Sequence, residues 1–160
     1  MDRRLLTGRL TAEDAEDAGD QAVMRINDVT ESVISAAMKV HSAVGHGLLE
    51  KAYDVCLCYE LAACSIHFEH QVRLPVSYQG IQLDPGFRVD YFVENCVLVE
   101  IKAVEKLHPV YSAQLLSYLK LSGLSVGLLI NFNVVHLRDG IRRLVNNYRP
   151  DRESDSLRRI

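Results

Sequence analysis

The residues best suited to chemistry lie in one stretch, VDYFVENCVLVEIKA, residues 89–103. Nearly every other side chain there is Val, Ile, Leu or aromatic, as in a buried strand pair, yet the stretch carries Asp90, Glu100 and Lys102. Charges in such a place are costly unless paired, hydrogen-bonded or bound to an ion. Setting Asp90 opposite Glu100 across a hairpin pairs Val93 with Val97 and leaves Glu94-Asn95-Cys96 as a three-residue loop. Such loops are common and need a left-handed residue, which Asn95 tolerates. In that register Asp90, Glu100 and Lys102 share one sheet face, with the acidic Cβ atoms about 5 Å apart. Val89, Tyr91, Val93, Val97, Val99 and Ile101 then take the other face without a charge. A two-residue loop would mix charges into the apolar set, so burial selects the longer one.

Two carboxylates this close repel each other. Hard oxygen donors with partial openness suit Mg2+ or Mn2+, which keep several waters and bind phosphate oxygens. Such an ion neutralises the pair, polarises a phosphoryl oxygen and makes water a stronger acid. Lys102 then orients the attacking water or stabilises transition-state charge. The competing reading is a structural ion pair between Lys102 and one acid. An Asp in register, with apolar strands on both sides, favours the site.

The elements that must position these groups follow from periodicity and punctuation. Residues 1–27 hold the acidic cluster Glu13, Asp14, Glu16, Asp17 and Asp20 with few large apolar residues, as expected of a mobile arm. From Asp28, the spacing of Val29, Val33, Ile34, Ala37, Val40, His41 and Val44 predicts a helix capped by Asp28 or Thr30 and ended by Gly45. A second helix follows the GHG break at 45–47, in LLEKAYDVCLCYELAAC. Gly80 and Pro85-Gly86 punctuate a β-branched and aromatic region with three expected strands, centred on Val72–Tyr78, Phe87–Val93 and Val97–Lys102. PVYSAQLLSYLKLSG (109–123) reads as an amphipathic helix, SVGLLINF (125–132) as a buried strand, and Asp139 to Asn147 as a final helix. The order α-α-β-β-β-α-β-α implies a single α/β domain with a mixed sheet flanked by helices over residues 28–147, followed by a tail over 148–160 with both basic and acidic residues.

Composition bounds the function. The 160 residues are 48% hydrophobic and 24% charged with net charge −3, which excludes a uniformly basic coat for nucleic acid but leaves room for a local basic patch. No apolar run approaches the roughly 18 residues of a membrane helix, and no secretory signal core is evident. Cys56, Cys58, Cys64 and Cys96 form no CxxC pair and read as reduced, packed thiols, so the expected location is cytoplasmic. No two of the six histidines have a metal-ligand spacing such as HxxxH; His46, between glycines near Glu50, is a peripheral candidate. Arg138, Arg142, Arg143, Arg149, Arg152, Arg158 and Arg159 could contact phosphates, although Asp139, Asp151, Glu153 and Asp155 interrupt them. Arg88, opposite Lys102 in the hairpin register, is the better candidate to touch a substrate phosphate.

Asp90…Glu100-x-Lys102, after a helix and an entering strand, resembles the PD-(D/E)XK nuclease superfamily, whose α-β-β-β-α-β core corresponds to residues 48–132. Val89 stands where the motif is named for Pro. Gly47-Leu-Leu-Glu50-Lys-Ala-Tyr53 resembles the signature of the GxxExxY family, and KVHSAVGHGLLEKAY, VEIKAVEKL, AQLLSYLKLSG and LLINFNV are similar to that family in order. The resemblance implies that Glu50, Asp90, Glu100 and the backbone carbonyl of Ile101 are metal ligands, that Lys102 is the catalytic lysine, and that Gln114 is the helical glutamine accompanying the site. Tyr118, one turn beyond Gln114, and Tyr53, on the helix side of Glu50, join Arg88 as candidate substrate contacts. Apart from the resemblance, Glu50 reads first as an acid favoured by the helix dipole, the tyrosines as core aromatics, and Gln114 equally as a group that caps or bridges backbone. The expected activity is a Mg2+- or Mn2+-dependent nuclease acting on nucleic acid, DNA ahead of RNA, without strong sequence specificity. The alternative is a nuclease-fold module that binds nucleic acid or protein with little turnover. A homodimer or a larger nucleic-acid-processing assembly is the expected setting.

Overall fold

The computed structural model describes residues 12–84 and 87–148, with side chains from Ile26 onward. The acidic side chains of the N-terminal arm, the Pro85-Gly86 turn and the arginines beyond Tyr148 lie outside the described residues. Ile26, Val29, Val33, Ala36, Ala37 and Val40 are buried at the helical spacing that predicts α1, Ala12–Val44. The helix starts upstream of Asp28, so neither Asp28 nor Thr30 caps it; Thr30 Oγ1 instead donates to the Asn27 carbonyl at 2.8 Å. Helix α2, Glu50–Ala63, buries Tyr53, Asp54, Leu57 and Leu61.

Strand β1 (Phe68–Arg73) is followed by a small hairpin of β2 (Val76–Tyr78) and β3 (Ile81–Leu83). The strand expected across 72–78 is therefore split. Pro75 falls in the gap, where a residue without an N–H cannot serve a ladder, and β2 and β3 pair only with each other. Strands β4 (Arg88–Val93) and β5 (Val97–Lys102) form the expected hairpin next to the turn, where Tyr91 faces Val99, Phe92 faces Leu98 and Val93 faces Val97, but the expected Asp90–Glu100 and Arg88–Lys102 pairs lie beyond the end of the ladder. The turn is closed by the Cys96 N–H donating to the Val93 carbonyl at 3.0 Å, with positive φ at both Glu94 and Asn95. Two left-handed residues match the right-handed twist of the strands.

Helix α3, Pro109–Ser122, starts with Pro at its first turn and stops at left-handed Gly123. It carries the chain from β5 to its parallel neighbour β6, Val126–Asn131, which is buried at every position. A 3-10 turn (Leu137–Gly140) then leads into β7, Ile141–Val145, antiparallel to β6. The final helix expected here is thus a strand. Ile141 packs with the α1/α2 core and Leu144 with the α3 core, so a three-residue apolar spacing arises from a strand covered on both faces.

The five-stranded mixed sheet runs β1-β4-β5-β6-β7. Helices α1 and α2 cover one face over Tyr91, Val93, Val97, Val99, Ile101, Leu128 and Ile130. Helix α3 covers the other over Val89, Leu98 and Leu129. Val89 therefore departs from the apolar face expected of it. No described helix is long and apolar enough to cross a membrane.

Gly140 sits where a Cβ would run into the backbone carbonyl of Asn131. Gly140→Ala should lower unfolding free energy by about 1–3 kcal/mol, the usual cost of overpacking, read as a lower denaturant midpoint at unchanged slope.

Candidate active site

Asp90 occupies a break in both of its ladders. The β1–β4 pairing includes His70–Tyr91 and Val72–Val89 but skips Gln71–Asp90, and Gln71 has φ of 54°. On the other side the β4–β5 ladder ends at Tyr91–Val99. The Asp90 carboxylate bridges the gap: Oδ2 accepts the Ile101 backbone N–H at 2.8 Å and Oδ1 accepts from the Gln71 side-chain Nε2 at 2.9 Å. The same break lets Val89 turn to the α3 core.

Glu100 and Lys102 alternate with the apolar positions of β5 and are joined by an ion pair of 2.9 Å between Oε1 and Nζ. Both side chains are about five-sixths buried (15% and 16% exposed). The other carboxylate oxygen, Glu100 Oε2, is buried without a hydrogen-bond partner. An orphaned anionic acceptor of this kind is rare and calls for an ion or a water. Burial raises the Glu100 pKa, the Asp90 charge raises it further, and Lys102 opposes both. For Lys102, burial acts downward, but the Glu100 hydrogen bond and the surrounding carboxylates outweigh it and raise its pKa. Its ammonium therefore stays protonated at neutral pH.

Glu50 opens α2 and reaches the same place. Its pKa is raised by burial and by Asp90, against the pull of Lys102 and of a hydrogen bond from the Ala103 backbone. From the α3 side, Tyr111 lies under Lys102 with its ring centroid 5.2 Å from Nζ. Burial and the charges of Glu100 and Asp90 raise the pKa of half-buried Tyr118, which also packs on Phe87 at 5.7 Å between ring centroids. Gln114 is exposed between these tyrosines, three residues after Tyr111 and four before Tyr118, so the three form one stripe of α3. Arg88 is exposed at the start of β4, across from Arg73.

Tyr53 points elsewhere. It is fully buried, stacks on Phe132 at 4.6 Å, and spends its hydroxyl on the Gly45 carbonyl (2.8 Å) and the Leu48 N–H (3.1 Å). These bonds fix the loop that delivers Glu50. His46, in that loop, is exposed. Asn131 performs a similar service beyond Lys102. Its buried amide accepts from the Val104 N–H at 3.0 Å and donates to the Val104 carbonyl at 2.9 Å. Gln71, Tyr111 and Asn131 were not singled out by sequence reasoning. The one signal was Asn131 itself, a polar residue ending an apolar run.

The side chains of Asp90 and Glu100, the Ile101 backbone and Glu50 thus supply hard oxygen donors in one region, and the orphaned Glu100 oxygen fits a small divalent cation. Among the described residues, however, the histidine, cysteine and carboxylate ligand atoms that gather in threes within 4.8 Å are those of Asp54, Cys58 and His70. The Glu50, Asp90 and Glu100 carboxylates are more widely spread.

Residues 27–144 match the family model of the PD-(D/E)XK nuclease superfamily, and the chain belongs to that superfamily. Its five-stranded mixed sheet with flanking helices is consistent with the superfamily's core. Searches of the curated proteins and of the solved structures gave no match.

Two outcomes follow from this geometry. Tyr53→Phe leaves the Gly45 carbonyl and the Leu48 N–H without their partner, and should cost about 1–3 kcal/mol in chemical denaturation. The second concerns pH. A carboxyl whose pKa rises on folding contributes stability fully below its unfolded pKa, about 4.3, and loses it as pH rises through the folded value. In metal-free protein, the melting temperature of Glu100→Gln relative to wild type should therefore rise between about pH 4 and pH 7. That difference should flatten below about pH 4, where the wild-type carboxyl is also neutral.

Proposed function

We propose that this chain is a Mg2+- or Mn2+-dependent nuclease of the GxxExxY branch, hydrolysing phosphodiester bonds of nucleic acid, DNA ahead of RNA, without strong sequence specificity. The observation that carries the reading is the buried, unpartnered Oε2 of Glu100 beside the Asp90 carboxylate and the Lys102 ammonium. Asp90 and Glu100 would hold the ion, with the Ile101 carbonyl and Glu50 completing its oxygen donors. When bound, it supplies positive charge to a phosphoryl oxygen and acidifies water.

The remaining work falls to the chain's own groups. Lys102 orients the nucleophile and stabilises charge developing on the phosphate oxygens. Tyr111 restricts the swing of that ammonium by contact with its ring face. Gln114 and Tyr118 present polar groups along the α3 wall, and Arg88 contacts a substrate phosphate as a point of electrostatic anchorage. Tyr53 acts on Glu50 by fixing its loop, a positioning role.

A second reading, a nuclease-fold binding or interaction module without appreciable turnover, is favoured by the spread of the three carboxylates. Calorimetric titration with Mn2+ and Mg2+, run alongside cleavage of single-stranded, duplex and branched DNA and of RNA, separates the two. On the nuclease reading, wild type binds and cuts, Asp90→Asn loses both, and Lys102→Met keeps the ion but cuts about 100-fold or more slowly. Ion binding with no cleavage of any substrate would establish the binding module instead. No ion binding, even with nucleic acid present, would overturn the proposed mechanism.

A further inference from the structure

A second cluster lies on the α1/α2 face of the sheet. Asp54 and Cys58 are four residues apart on α2, hence on one side of it, and His70 faces them from β1. One ligand atom from each falls within 4.8 Å of the others. His70 Nε2 is 2.8 Å from Asp54 Oδ1, while Tyr91 donates its hydroxyl to that same oxygen at 2.5 Å and to the Asp54 carbonyl at 2.9 Å. Lys51 donates to Oδ2 at 3.0 Å, and the Cys58 thiol points to the Tyr91 hydroxyl at 3.6 Å.

We propose that Asp54, Cys58 and His70 form a site for a zinc-like transition-metal ion, distinct from the carboxylate site and independent of the nuclease reading. Thiolate, imidazole and carboxylate are the donor set of such ions, whereas Mg2+ and Mn2+ select oxygen. Bond lengths of roughly 2.0–2.3 Å set tetrahedral ligand atoms about 3.3–3.6 Å apart, so the cluster needs only small side-chain rotations to close on an ion. The thiolate and the Asp54 carboxylate cancel a double positive charge, leaving Lys51 as an outer partner of Oδ2. Burial and the Asp54 hydrogen bond hold the Tyr91 phenol protonated, so it orients the carboxylate from outside the ligand set. His70 is 31% exposed, which gives an entry path and leaves a fourth position for water. Because Asp54 is one turn beyond Glu50, an ion here fastens α2 to β1 close to the helix end that carries Glu50.

The test is titration of the reduced, metal-stripped full chain with Co2+, read by the thiolate-to-cobalt charge-transfer absorption that an all-oxygen site cannot produce. The expected result is one sulfur-bound equivalent per chain, displaced by Zn2+. Cys58→Ser should abolish the band and Glu100→Gln should leave it intact. His70→Gln, at an exposed position and able to keep a hydrogen bond to Asp54, should weaken binding by more than about tenfold, and Tyr91→Phe by about tenfold. Absence of the band in wild type, its survival in Cys58→Ser, or unchanged affinity in His70→Gln would each overturn the site. If Cys58→Ser does not fold by circular dichroism, the His70→Gln affinity decides. Loss of Mn2+-dependent cleavage in Asp90→Asn with the cobalt band retained would show that the two sites fail separately.

Discussion

Glu100 stands in a strand enclosed by two layers of helices, where burial and a neighbouring acid both resist its ionisation. Lys102 answers for one of its oxygens, and the other meets nothing. Much of the surrounding structure serves to keep these groups together. The tight turn at Glu94–Asn95 fixes the register that sets Asp90 beside Glu100, and α2 brings Glu50 to the end of β5. On the far side, α3 lays Tyr111 against the lysine. A sheet that buries like charges needs such supports on every side, because loosening any one would let the two acids move apart.

The kink at Asp90 shows how the chain makes room. In a continuous ladder, backbone groups of β4 would occupy the hydrogen-bonding positions of Ile101 and Gln71. Here one carboxylate oxygen of Asp90 takes the main-chain N–H of Ile101 in place of ladder pairing on β5, and the other is held from β1 by the Gln71 side-chain amide. Strand continuity is given up locally, and the carboxylate gains a fixed orientation.

The hairpin was legible in the sequence because alternation has period two: only one register keeps Asp90, Glu100 and Lys102 out of the α1/α2 core. Helices α2 and α3 and strands β4, β5 and β6 were legible from periodicity and from the glycines that end elements, whereas the division of the 68–83 region into β1 and the β2/β3 hairpin was not. Strand β7 was not, since Ile141 and Leu144 serve different layers and their spacing imitates a helix. The fate of Val89 was hidden too, because the break at Asp90 is a tertiary exchange of hydrogen bonds without a composition signature. Tyr111, Gln71 and the Asp54 cluster depend on which elements become neighbours in space. Tyr53, attractive as a surface contact from its spacing, proved to be buried by its stack on Phe132.

Asn131 grips main-chain groups alone, both of those of Val104 and the Asn133 N–H, presenting an amide that imitates one more peptide unit of β6. The side chains of the loop that follows Lys102 take no part in that clasp. A change of side chain at Val104 therefore leaves the clasp whole, whereas the same change at Asn131 removes it, so one strand-end amide carries the shape of a loop whose own residue there is free to vary.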